Sequence, residues 1–218
     1  ESLRSALRAK TLEKELENSR IEIMLSQIKP HFIYNTLTTI SQLCLEQPET
    51  ASALTDDFSH YLRGNFSELN RSAPIPISQE IEHVKHYVNV EHIRFPDMQI
   101  EFDLQCEDFL VPALSVQPLV ENAIKHGIKP LMNSKEKGAI DISIQKKSDT
   151  VEFTIKNDGP PVAQSMLAKL QQSLNNGDFP TNKNIGLKNV NKRIQLIYGD
   201  GAKITLYNDQ GAVTQLEI

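Results

Sequence analysis

The chain has 218 residues, 39% of them apolar and 23% charged, with a net charge of −5. That is soluble globular composition, enough for one or two domains. The acidic balance and the lack of a basic tract give no electrostatic support to a nucleic-acid role, and no apolar run approaches the ~20 residues of a bilayer-spanning helix. No signal peptide is visible. Cys44 and Cys106 lie far apart, without zinc or redox spacing, which argues against a disulfide framework and for a reducing compartment. The first residue is Glu1, inside a charged helical pattern, so the chain reads as the cytoplasmic piece of something longer.

Residues 1–29 contain neither Gly nor Pro and read as one helix, with Leu12, Leu16 and Ile23 at heptad-compatible spacing and Leu3 and Leu7 out of phase. The stripe fits a parallel dimer stalk interrupted by a stutter, or equally a solvated helix packing on its own domain. Residues 31–46 form a second helical stretch with Phe32, Leu37, Ile40, Leu43 and Cys44 as candidate buried positions, and Pro30 suits a first turn or a kink. Gln47-Pro48 breaks it. Residues 50–69 form a third, with Ala51, Leu54, Phe58, Tyr61 and Leu62 at helical spacing. Such an antiparallel hairpin leaves an apolar stripe uncovered, and dimerisation into a four-helix bundle covers it. His31 follows Pro30 directly, and Asn35 lies one turn later on the same face. A helical histidine with a polar neighbour at i+4 fits a phosphorylated nucleophile; by itself it is also what an ordinary surface histidine looks like.

Ala73-Pro74-Ile75-Pro76-Ile77 reads as an extended linker. The expected organisation is therefore a stalk and helical hairpin over 1–72, a linker over 73–78 and a second domain over 79–218. Ser78 is placed to cap a helix running to about Phe95, with Ile81, Val84 and Val88 on one face. Met98 to Leu104 alternates as a strand, and Ala113 to His126 is a helix. Ala139–Gln145 and Val151–Lys156 are strands joined by a polar turn. Residues 160–185 are polar and proline-flanked, with a short helical piece from Met166 to Leu174. Leu187 to Ile197 is a helix, and Lys203–Tyr207 with Val213–Ile218 closes the chain as a hairpin. Helices mixed with hairpin-connected strands predict an α+β layered sandwich.

Three segments of this second domain carry polar chemistry. On the helix ending at His126, Asn122, Lys125 and His126 share one face, with Glu121 at its edge, while Leu119, Val120, Ala123 and Ile124 fill the other faces. A carboxamide oxygen can ligate Mg²⁺, and an ammonium and an imidazole can meet phosphate oxygens; a plain amphipathic helix shows the same pattern. Lys156-Asn157-Asp158-Gly159-Pro160-Pro161 follows a strand, where a polar side chain before a glycine can hold a base edge; it is equally strong turn chemistry. Asn184-Ile185-Gly186-Leu187 opens the last helix, whose free N–H groups favour phosphate or simply start a helix. His83, His86 and His92 have no Cys or acidic cluster to complete a metal site and read as solvated or interface residues, as does His60.

The order and spacing of these three segments resemble the N box and glycine boxes of the GHKL (Bergerat-fold) ATPases. With Pro30-His31-Phe32 upstream, the chain resembles a sensor histidine kinase of the LytS/YehU type over about residues 20–218. Phe58-Ser59-His60-Tyr61-Leu62-Arg63, Tyr87-Val88-Asn89-Val90-Glu91-His92-Ile93-Arg94-Phe95 and Gly186-Leu187-Lys188-Asn189-Val190-Asn191-Lys192-Arg193-Ile194 also read like that family. The resemblance implies an ATP and Mg²⁺ site. Asn122 would be the Mg²⁺ ligand, with Glu121, Lys125 and His126 around it, and Gly159 would let the backbone approach adenine. Residues 160–185 would be the ATP lid, and Gly186 and Leu187 would begin the helix under the phosphates. It implies His31 as phosphoacceptor, a homodimer, a response regulator with a LytTR domain as partner, and membrane attachment only through an N-terminal sensor region of a bacterial inner- or plasma-membrane protein. Asn35 is then the candidate for orienting water in the reverse, phosphatase reaction.

The sequence departs from the family pattern at two glycine boxes. Asp-x-Gly-x-Gly becomes Asn157-Asp158-Gly159-Pro160-Pro161, so the adenine-reading position is Asn157 in strict register, with Asp158 as the alternative. Gly-x-Gly-Leu becomes Asn184-Ile185-Gly186-Leu187. Phe32 also stands where many histidine kinases keep an acid. Two other functions fit parts of the pattern: a GHKL ATPase or serine kinase without phosphohistidine, and a degenerate, nucleotide-gated scaffold.

Overall fold

The computed structural model describes residues 30–68, 73–134, 136–176 and 185–218. The helix expected over 1–29 and the glycine-box residue Asn184 lie outside them. The chain divides into two compact units, Glu1–Leu69 and Asn70–Ile218.

In the first unit, α1 (Pro30–Glu46) and α2 (Pro48–Glu68) are separated by Gln47 alone. The Gln47 N–H still donates to Leu43 C=O, and Gln47 C=O accepts from Ala51 N–H, so the reversal leaves few backbone groups open. The seam is aromatic: Phe32 lies 4.9 Å from Tyr61 and 6.2 Å from Phe58, ring centre to ring centre. Ala51, Leu54, Phe58 and Tyr61 are buried, as their spacing predicts. Leu37 and Cys44 are not. They turn away from the seam and are exposed, along with Tyr34, Leu45 and Phe66.

In the second unit, a five-stranded sheet runs in the order β2 (Met98–Leu104), β4 (Gly138–Lys147), β5 (Thr150–Asn157), β7 (Ala212–Glu217), β6 (Lys203–Asn208). β2 and β4 are parallel, and the other neighbours are antiparallel. One face is apolar, with Ile140, Ile142 and Ile144 beside Phe153 and Ile155. The alternate positions Glu101, Asp103 and Asp141 stay wet. Period-two alternation of this kind covers one face only. Helices supply the cover: α3 (Ile77–Arg94), α4 (Gln117–Asn122), α5 (Lys129–Asn133), α6 (Gln164–Asn176) and α7 (Ile185–Tyr198). This is the α+β sandwich that the sequence predicts.

Three local expectations change. The proline-rich segment is extended, but it is no free tether: β1 (Ile75–Pro76) pairs with β3 (Leu110–Val111), and Ile75 and Ile77 are fully buried in the second unit. Ser78 does not cap α3. The cap position is Pro76, with no side-chain hydrogen bond. The helix expected over 113–126 begins only at Gln117 and continues past His126, because a π-helical turn, Ala123–Ile128, joins α4 to α5. Among the described residues no helix is long and apolar enough to cross a membrane.

Candidate functional site

The predicted site residues fall into two sets, one in each unit. On α1, Phe32 is locked into the aromatic seam, so His31, about 100° around the helix, is exposed to solvent. The Asn35 amide nitrogen lies 3.0 Å from His31 Nδ1 and 3.3 Å from Nε2. Only one nitrogen of a neutral imidazole accepts, and an amide donor set between the two does not fix which one that is. The same packing explains the missing acid: the residue after His31 sits on the buried face, where Phe32 belongs.

The second set surrounds a cleft of about 510 Å³. Leu119, Asn122, Ala123, His126 and Gly127 line it from α4 and the π turn, Asn157 from the end of β5, and Leu187 from α7. Met166, Leu167 and Leu170 of α6 complete it with Leu206, Tyr207 and Thr214 of the terminal hairpin. Asn157 continues the apolar row of Phe153 and Ile155, pairs in register with Ile140, and is 5% exposed. Its carboxamide is held at both ends: Oδ1 accepts from Gly159 N–H at 3.1 Å, and Nδ2 donates to Ala212 C=O at 3.0 Å.

Close backbone approach explains the glycines here. A Cβ on Gly127 would stand 2.2 Å from Asn157 Oδ1, and one on Gly159 would stand 2.3 Å from Gly127 Cα. Gly211, at φ +149°, would put its Cβ 1.8 Å from Asn157 C=O. Gly186 is different, because a Cβ there would meet Pro118 and Asn122 at ordinary contact distance, 3.7 and 4.0 Å. It does place Asn122 beside the first turn of α7.

The other predicted residues are distributed less simply. Lys125 is exposed and does not line the cleft. Glu121 is buried and accepts from Gln117 Nε2 at 3.1 Å, away from the lining. Asp158 leaves the main cleft altogether: its carboxylate takes Ala139 N–H at 2.8 Å, and it borders, with Gly159 and Gln210, a separate hollow of about 480 Å³.

Sequence reasoning missed the buried groups that aim α4. Glu80 on α3 is fully buried, and its carboxylate accepts the N–H groups of Leu114, Ser115 and Val116 at 2.6, 3.1 and 3.0 Å, just before the helix begins. Leu114 there adopts φ +57°. Arg193 of α7 donates to Ala113 C=O at 2.8 Å. Burial pushes the Glu80 carboxyl above its ordinary range against the pull of those N–H groups. Glu91, also buried, binds Arg94 at 3.1 Å and Lys129 of α5 at 3.2 Å. A lone Glu in a helix gives no sequence signal for either role.

The histidine kinase family model matches residues 19–99, and the model of the histidine kinase-, DNA gyrase B- and HSP90-like ATPases matches residues 112–218. YwpD of Bacillus subtilis (strain 168) is 35% identical over 198 residues, covering 88% of this chain and 67% of its own length. The chain belongs to the histidine kinase family. Within it, the sequence is similar to the sensor histidine kinase YpdA of Escherichia coli K12, at 35% identity over 90% of this chain, and to the sensor protein LytS of Oceanobacillus iheyensis, at 30% over 97%. The chain spans about a third of those two relatives, 34% and 36% of their lengths. The nucleotide-free catalytic domain of histidine kinase ThkA shares the fold, with a TM-score of 0.50 and 24% identity over 67% of this chain and 93% of that one. The α/β unit of this histidine kinase chain is therefore an ATP-binding domain, and the cleft lies on it.

Proposed function

We propose that this chain is the kinase portion of a two-component sensor histidine kinase. It transfers the γ-phosphoryl group of ATP to His31 and passes it on to an aspartate of a response regulator. One observation carries the reading: an exposed histidine, flanked by Asn35 on a packed hairpin, shares its chain with an ATPase-family cleft floored by a pinned, buried carboxamide. A His31 ring nitrogen attacks the γ-phosphorus in line; the N–P bond forms as the bond to the β–γ bridging oxygen breaks, and ADP leaves. The protein's contribution is positioning.

Asn157 reads adenine. After its two internal bonds, Oδ1 retains a lone pair for the exocyclic amine and Nδ2 an N–H for a ring nitrogen. Asp158 is engaged with Ala139 outside the main cleft, which favours Asn157. Asn122 offers Mg²⁺ a hard carboxamide oxygen in the cleft. The bound ion would neutralise phosphate charge; His126 in the lining and Lys125 beside it meet phosphate oxygens, and Gly186 and Leu187 open the helix beneath them. Asn35 orients water when the regulator is dephosphorylated.

The exposed Tyr34, Leu37, Leu45 and Phe66 favour burial against a second copy of the hairpin, a homodimer. In this reading the chain is part of a longer sensor protein, as relatives named sensors and about three times its length favour; an N-terminal sensor region of a bacterial membrane protein presents this portion to the cytoplasm, and the partner regulator is of the LytTR type. The division proposed is 1–72 for stalk and hairpin, 73–78 for the connection and 79–218 for the catalytic domain. Incubation with γ-labelled ATP should leave acid-labile, base-stable label on the protein. His31→Gln should reduce it to background with folding unchanged, and chelation of divalent cations should do the same. Label that survives His31→Gln rejects His31 as the acceptor.

A further inference from the structure

β6 ends the sheet, so its outward N–H and C=O groups need partners. Gln171 of α6 supplies both: its Nε2 donates to Ile204 C=O at 3.1 Å, and its Oε1 accepts from Leu206 N–H at 2.9 Å. One primary amide thus makes the pair of bonds that a sixth strand would make. At the end of β6 the arrangement is mirrored, because Asn208 accepts from Val162 N–H at 2.9 Å and donates to Val162 C=O at 2.8 Å. Toward the other end of α6, buried Asn191 of α7 donates to Leu174 C=O at 3.0 Å. The segment from Val162 to Leu174 is therefore tied down at three points, each by a carboxamide.

These ties fix a functional surface. The helix that Gln171 holds is the one that carries Met166, Leu167 and Leu170 into the lining of the cleft. The sequence reads this whole stretch as a lid, and Pro160-Pro161 at its entry removes the second glycine of the family pattern. We propose that Gln171 is a positioning residue for the nucleotide: by clamping α6 to the sheet edge it keeps the apolar wall of the cleft in place before nucleotide arrives. The inference rests on the ATP-site reading above and deepens it. An amide whose role was only to cover an exposed edge would leave nucleotide affinity untouched.

The full chain, free of nucleotide, should show a protected Leu206 amide in hydrogen exchange. Gln171→Ala should speed exchange there by ~10-fold or more while amides of the central strand β4 stay protected. The same variant should raise the Kd for a fluorescent ATP analogue, and the KM for ATP, by about 5- to 10-fold, with kcat at saturating ATP unchanged. Gln171→Met, which keeps the length of the side chain and loses both bonds, should behave as Gln171→Ala does. Lost protection with Kd unchanged overturns the proposal, and so does a Leu206 amide that exchanges freely in the wild type. If Gln171→Ala unprotects β4 as well, Asn208→Ala carries the same expectation for Kd. A wild type that binds the analogue but forms no phosphohistidine rejects the kinase reading and leaves the clamp standing. A wild type that binds no nucleotide rejects both.

Discussion

The two units solve opposite problems. The hairpin holds itself together with a narrow aromatic seam and presents His31 and Asn35 outside it, so its chemistry and its stability rest on different residues. In the α/β unit they rest on the same ones. Asn157 is at once a core residue, the hydrogen-bond partner of Gly159 and Ala212, and the polar floor of the cleft. Gly127 and Gly159 are in contact because the site requires the backbone there to be bare. On the proposed reading His31 needs only to be reachable, whereas the nucleotide must be enclosed, and enclosure makes the residues that line the cleft core residues as well.

Four substitutions probe that contrast, in falling order of effect. Phe32→Ala removes the ring at the centre of the seam and should cost the first unit ~3–5 kcal/mol, read as a lower urea midpoint of the near-UV aromatic signal. The nucleotide Kd should not move; a joint loss would show that the units do not fold separately. Gly127→Ala forces a methyl into Asn157 and should cost about 1–3 kcal/mol while abolishing nucleotide binding. Retained affinity in a destabilised Gly127→Ala protein would separate core from site in the second unit after all.

Glu80→Gln addresses stability through pH. Burial raises the folded-state pKa of Glu80 above the ordinary 4.5, so the folded chain holds that proton more tightly than the unfolded chain does. The stabilisation is complete below the ordinary value and is lost as pH rises through the raised one. Denaturation midpoints from pH 4 upward should therefore fall in the wild type relative to Glu80→Gln, and parallel profiles would refute the assignment. Asn35→Ala, the mildest change, should leave autophosphorylation within about twofold and slow dephosphorylation of the regulator. Equal loss of both activities would remove its phosphatase role.

Periodicity carried most of the fold. Strand β2 matches its alternation from Met98 to Leu104, and the buried face of α3 includes Ile81, Val84 and Val88 as their spacing requires. Local pattern failed where distant residues decide. Ile75 and Pro76 read as linker because prolines in an extended run have no local partner; the partner is Leu110–Val111, over thirty residues away. Leu37 and Cys44 read as core because an apolar stripe does not say which part of it faces the seam. Asn122, His126 and Asn157 were legible as a set, through order and spacing. The ties of Glu80, Gln171 and Asn208 were not, since an isolated Glu, Gln or Asn looks the same whether it is solvated or clamps a backbone.

The π turn at Ala123–Ile128 has a further implication for how this site can change. Such a turn is an α-helix carrying one surplus residue. Removing a single amino acid there would restore a regular helix at little cost to backbone hydrogen bonding, and because the wide turn absorbs the surplus residue, the helix beyond it would stay nearly in phase. His126 and Gly127, inside the wide turn, would shift relative to Asn122, while Lys129, beyond it, would stay opposite Glu91. A length change of one residue in this helix is thus a small event for the architecture and is felt chiefly where the turn lines the cleft, so variants differing there by a single deletion should keep the fold and change nucleotide affinity.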